Sequence, residues 1–238
     1  MPDAPSAKAP FVRRALASIL AVGAAVCMRS WGSNLPLALW LPTGLLAASA
    51  LLLHHPRLGS QLLARAVLWS NLILGVVMTF FANSRERPIA VVLAATTGAA
   101  LLLVGRAGLD DRTRGGSFVP VAFRATLLAL MVMALADAQS LAFFGALQLE
   151  AWTPSPDRAA LYFALAGGLL GALAGLYRLR VWGLLLGVVS WMAVAAVALA
   201  GGLQLPGGLV AAFVATSVLQ MCIAAPLFVA LWTGARRA

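Results

Sequence analysis

Acidic side chains are scarce in this chain, with seven Asp and Glu in 238 residues and a charged fraction of only 10%. A soluble domain carries about 25% charged residues. A disordered chain combines high net charge with few apolar groups. The scarcity of charge excludes both classes. Cysteine is nearly absent: Cys27 and Cys222 stand alone in apolar runs. With no CxxC and no Cys/His cluster, neither a disulfide framework nor a thiolate metal site is indicated, and both cysteines are expected as small buried hydrophobes.

Histidine is limited to the adjacent pair His54-His55. No GxSxG elbow with matching His and Asp is present, nor an HExxH or a P-loop glycine pattern. A hydrolase or a metal-dependent lipid transferase therefore has little to build with. The expectation is a non-enzymatic protein without cofactor or metal. Adjacent helical residues do not share a face, so His54 and His55 are expected as part of an interfacial turn and not as a chelating pair.

Apolar residue is what the chain has: 62% of it is hydrophobic, with a mean hydropathy of +0.95. Spanning a bilayer takes about 20 apolar residues per helix. Eight runs approach that length, at about 15–28, 35–53, 62–82, 88–105, 125–147, 159–177, 181–200 and 207–232. Short alternating barrel segments are not seen. The fold expected is all-α, a polytopic membrane bundle of about eight transmembrane helices. Residues 1–14 form a polar tail and 15–238 a single membrane domain. Two halves, 15–105 and 118–233, are joined by a loop at 106–117 that contains Asp110, Asp111, Arg112 and Arg114. That loop reads as solvated or as a docking point. Arg13-Arg14 before an apolar run resembles the start of a signal peptide, but seven further runs favour an uncleaved first span. Trp31, Trp40, Trp152, Trp182 and Trp232 fall near span ends, as interfacial aromatics do.

The formal charge of +10 is scattered between apolar runs, unlike the concentrated face or arm of a nucleic-acid binder. If the N-terminus is cytoplasmic, one side collects Lys8, Arg13, Arg14, Arg57, Arg65, Arg106, Arg112, Arg114, Arg124, Arg178, Arg180, Arg236 and Arg237, and the other only Arg29, Arg85, Arg87 and Arg158. Thirteen against four follows the positive-inside rule. It predicts both termini in the cytoplasm and, with the Arg-, Ala- and Gly-rich composition, a bacterial inner membrane. The partners expected are the bilayer itself, anionic headgroups at the cytoplasmic arginines, and a membrane-protein partner or a second copy of the chain.

Pro42 and Pro226 fall inside spans two and eight, where a missing donor predicts kinks. Gly167, Gly171 and Gly175 recur every four residues in span six, and Gly183 and Gly187 repeat the spacing in span seven. Glycines so spaced let two backbones approach. Packing of span six on span seven is favoured over a dimer face. A faint parallel repeat of four plus four spans pairs Arg14-Ala15 with Arg124-Ala125, Gly44-Leu-Leu with Gly168-Leu-Leu, Ser70 with Ser190, and Ala95-Thr-Thr97 with Ala215-Thr-Ser217.

Asp137 is the one acid inside a span, and an acid at mid-bilayer costs about 2.5–3.5 kcal/mol on insertion scales. It is expected to face the bundle interior and is the leading functional candidate. Gln139, Asn71, Thr96, Thr97, Ser190, Thr216 and Gln220 lie at similar depth. They would form a midplane polar layer of the kind transporters use if they met. Ser and Thr also back-bond within their own helices, and amides join neighbouring ones. A transporter or permease-like protein is the first reading, a structural or accessory subunit the second, and a lipid-modifying enzyme the last. An Asp137 open to a water-filled cavity would favour transport. One sealed against neighbouring side chains would favour the subunit.

Overall fold

In a computed structural model the described residues are 8–31, 39–55, 57–81, 87–107, 121–150, 154–178, 180–203 and 207–235. They form eight helices: α1 (Lys8–Trp31), α2 (Trp40–Leu52), α3 (Leu58–Phe81), α4 (Arg87–Ala107), α5 (Val121–Glu150), α6 (Pro156–Tyr177), α7 (Val181–Leu199) and α8 (Gly207–Ala235). Seven of them are long and apolar enough to cross a membrane. The chain is a multi-pass membrane protein. The charged 106–117 loop, apart from its first two residues, lies outside the described residues, as do 1–7, 32–38 and the final three positions.

Four helices carry a proline in their first turn: Pro10, Pro42, Pro88 and Pro156. A first-turn N–H has no intrahelical acceptor, so its loss costs nothing there. This corrects the expected kink at Pro42, which is the third residue of α2 and not a mid-span position. The described α2 has 13 residues, about 20 Å of rise against a hydrocarbon core of about 30 Å. Pro226, by contrast, is inside α8. Helix α1 already starts at Lys8, so the expected tail is helical over its last seven residues.

The chain divides into two compact units, Met1–Phe118 and Val119–Ala238. In the first, α1 packs on α2 and α4, and α3 packs on the same two helices. Specific contacts fix the directions. Ser18, early in α1, donates to the carbonyl of Ala50 (2.9 Å) and sits 3.0 Å from His54 Nε2 at the end of α2. Arg29, late in α1, lies over the ring of Trp40 at the start of α2. Cys27 Sγ faces the Ile89 carbonyl at the start of α4 (3.8 Å). Arg65, early in α3, donates to the Val104 carbonyl (3.1 Å) near the end of α4, where a cation also complements the helix dipole. The four helices therefore alternate in direction, and the short α2 counts as one full reversal. Midway, Gly75 lets α3 close on α4: a Cβ there would stand 2.9 Å from the Ala94 nitrogen. His55 turns to other partners than His54, accepting from the Arg57 N–H and facing Ser60 Oγ, both at 3.3 Å.

In the second unit α5 packs on α6, α6 on α7, α7 on α8, and α8 closes on α5. Gly145 near the end of α5 meets Tyr162 and Phe163 near the start of α6. Helix α7 ends in a Schellman motif, with Gly201 N–H on the Ala198 carbonyl and Gly202 N–H on that of Val197. Gly201 adopts φ +72°, a conformation glycine takes without penalty. The turn presents the Leu203 carbonyl to the buried Tyr162 hydroxyl, which donates to it. Replacing Tyr162 with Phe should cost about 1 kcal/mol, since a buried carbonyl loses its donor, read as a lower unfolding midpoint in detergent. An unchanged midpoint would show that this bond holds nothing. Cys222 is exposed and Cys27 partly so, correcting the expectation of burial. On α8 the buried stripe is Phe213, Ser217, Gln220, Ala224 and Leu227, and Cys222 falls off it.

Candidate functional site

Asp137 lies thirteen residues from both Arg124 and Glu150, about 20 Å of helix from either. The acid thus falls midway along its span, and it is 7% exposed. Its partners come from α8. Gln220 Nε2 donates to Oδ2 at 2.6 Å, and Thr216 Oγ1 lies 3.4 Å from Oδ1. Residues four apart share a helix face, which is how one turn of α8 supplies both groups. The three side chains form a polar clasp joining the first and last helices of the second unit. Around them the helix faces are apolar, with Leu130, Ala134, Leu141 and Phe213 all buried. Hydrogen bonds inside such surroundings are stronger than in water, and an unmade one is correspondingly costly.

Acceptors outnumber donors at the clasp. The Thr216 hydroxyl also lies 3.1 Å from the Phe213 carbonyl, and its single proton can serve only one acceptor well. Gln220 is fully buried, and its Oε1 has no hydrogen-bond partner.

The remaining candidates are placed differently. Ser190 on α7 stands against α6, where a Cβ on Gly168 would come within 2.8 Å of Ser190 Oγ. Gln139 is buried with Nε2 unpartnered, and no described contact ties it to Asp137. Asn71, Thr96 and Thr97 belong to the first unit. Each bonds its own helix: Asn71 Nδ2 to the Val67 carbonyl (2.9 Å), Thr96 Oγ1 to that of Val92 (2.8 Å) and Thr97 Oγ1 to that of Leu93 (2.7 Å). Among the described residues no group of three or more His, Cys, Asp or Glu is placed to hold a metal ion.

The spaced glycines also separate. Gly175 and Gly183 bring α6 and α7 into backbone contact, and Gly171 faces the tip of Leu186. Gly187 packs against the ring of Trp191 in its own helix, and Gly167 has open space around it. The close approaches at Gly75, Gly145 and Gly168 lie outside the spaced pattern. A glycine within a span is their signal, and that signal does not say which helix approaches.

Compared with known proteins, the chain matches no family model, no curated protein and no solved structure.

Proposed function

We propose that the chain is a non-enzymatic structural or accessory subunit of a bacterial inner-membrane complex. The observation that carries this reading is the closed clasp. Both oxygens of the one intramembrane acid are turned to side chains of α8 in the same unit, the arrangement expected of a group that holds helices together. The runner-up is a small transporter or permease-like protein, favoured by the buried Gln220 oxygen that lacks a partner.

Proteoliposomes separate the two. With a proton or Na⁺ gradient and a pH-sensitive dye inside, the subunit reading expects wild type and Asp137→Asn to leak equally. Flux present in wild type and lost in Asp137→Asn would overturn it in favour of transport. The subunit reading further expects the chain to leave native membranes, in mild detergent, in an assembly larger than its own 24.6 kDa.

The membrane orientation proposed is both termini in the cytoplasm. Helix directions support it. In the first unit Arg13, Arg14, Arg57 and Arg65 gather at one end, with Arg29 and Arg87 at the other. In the second, Arg124, Arg178 and Arg180 lie opposite Arg158. Basic residues near a span resist translocation. A reporter active only outside the cytoplasm should be silent when fused after Ala238, and active when inserted between α5 and α6. The reverse pattern would sink the orientation. The four-plus-four repeat is proposed on the same footing, because each unit closes its first helix on its fourth. Pairing Arg14 with Arg124 sets Cys27 opposite Asp137, so only the second unit would retain an acid at that position.

A further inference from the structure

We propose that the α5–α8 clasp binds one monovalent positive charge, a proton or an alkali-metal cation, enclosed by Asp137, Gln220, Thr216 and the Phe213 carbonyl. The inference rests on the reading of the clasp as a helix lock and names what completes it. The site is rich in oxygen and short of hydrogen. Two carboxylate oxygens and Gln220 Oε1 face one amide NH₂ and one hydroxyl proton, which the Phe213 carbonyl also draws on. The orphan is the Gln220 oxygen, on a side chain with no exposed surface. It sits on the same amide whose nitrogen reaches Asp137.

The charge account agrees. Arg124 and Glu150 share the helix with Asp137 and stand thirteen residues away on either side. On α6 the titratable or charged groups are Asp157, Arg158, Tyr162 and Tyr177, all near its ends; Tyr162 is occupied by the Leu203 carbonyl. On α8 between Gly207 and Val229 there is only Cys222, which is exposed. Among the described residues of this unit no cation is therefore placed at the depth of Asp137, and a lone ionised carboxylate in hydrocarbon is strongly disfavoured.

A proton supplies what is missing by converting a carboxylate oxygen to O–H, which donates to Gln220 Oε1 while the amide N–H still donates to the other oxygen. A small alkali cation supplies it by taking the carboxylate, the Gln220 oxygen, the Thr216 hydroxyl and the Phe213 carbonyl as oxygen ligands, the donor type that hard cations select. Neither step leaves a net charge in the bundle.

The test uses the full chain in lipid nanodiscs. Unfolding midpoints are followed against pH, and against NaCl with choline chloride holding ionic strength, for wild type, Asp137→Asn and Asp137→Ala. Infrared spectra of wild type are recorded in D₂O. In the proton case, wild type shows a carboxylic-acid C=O band slow to exchange, and its midpoint shifts with pH but not with Na⁺; in Asp137→Asn both the band and that shift are lost. In the cation case, the wild-type midpoint rises with Na⁺ to a plateau, and Asp137→Asn is flat. A wild type with no such band and a midpoint following neither H⁺ nor Na⁺ more than Asp137→Asn does overturns the proposal, even where Asp137→Ala lowers the midpoint and the lock itself stands. An Asp137→Ala midpoint equal to wild type overturns the lock. The infrared band and the wild-type titrations keep the test decisive if a variant fails to fold.

Discussion

Replacing Gly175 with leucine should separate α6 from α7 and remove at least about 3 kcal/mol of stability, the upper part of the usual overpacking range. The reason is the nature of the obstacle. A Cβ at Gly175 would lie 2.3 Å from the Gly183 Cα and 2.8 Å from its nitrogen, and one at Gly183 would lie 2.5 Å from the Gly175 carbonyl carbon. Backbone cannot rotate aside as a side chain does, so the helices must part. Even Gly175→Ala and Gly183→Ala should be plainly destabilising. Gly171→Ala should cost less, because it meets only the end of Leu186 at 3.0 Å. Gly167→Ala meets nothing within 4 Å. It should be neutral, or stabilising by up to about 1 kcal/mol, since alanine is the better helix former. Denaturant titration of the four alanine variants in detergent checks the order, with Trp182 fluorescence as a local probe because that ring also borders Gly175. Equal effects at Gly167 and Gly175 would mean that α6 and α7 do not meet along this line.

Cutting the clasp should have the second largest effect. Asp137→Ala leaves the Gln220 amide buried without its acceptor, and Gln220→Leu leaves a buried carboxylate without its nearer donor. Leaving a buried polar group unsatisfied costs about 1–3 kcal/mol, and more for a charged one. Each single variant is therefore expected to lose stability in that range. Removing both partners together, as Asp137→Ala with Gln220→Leu, should recover much of the loss, because neither side chain is then left to satisfy. The signature is a strongly non-additive double-mutant cycle between α5 and α8. Additive losses would show that the two side chains do not depend on each other. Asp137→Asn should fall between wild type and Asp137→Ala, since its side-chain oxygen still accepts from Gln220.

Several features of the bundle are legible in the residues alone, each for a physical reason. Long apolar runs mark the helices because lipid leaves the backbone no external hydrogen-bond partner, so such runs fold as helices. Asp137 stands out because a mid-span acid is expensive enough to be rare. Its partners Thr216 and Gln220 are candidates by depth, but so are Asn71, Thr96 and Thr97, which bond backbone carbonyls of their own helices. Depth is one coordinate, and facing is another that composition does not carry. Pro42 misleads for a related reason. Whether proline breaks a helix or starts one depends on where the helix begins, and the apolar run extends past that point. The glycine spacing in α6 is equally ambiguous: Gly167 and Gly175 are alike in sequence, yet one faces open space and the other a backbone.

The order of residues is thus enough to set the solvent of this protein, the number of its long apolar runs and the position of its mid-span acid. These depend on the free energy of transferring local segments into lipid, which is a sum over neighbouring residues. Packing alone establishes that α2 is short yet reverses the chain, that each set of four closes its last helix on its first, that Gly175 meets Gly183, and that Asp137 is held by Gln220 and Thr216. Those outcomes depend on which faces meet across a gap of many residues, and in an apolar chain many pairings bury similar surface. What separates them is close backbone approach and the satisfaction of a few polar atoms, and both exist only once the helices are side by side.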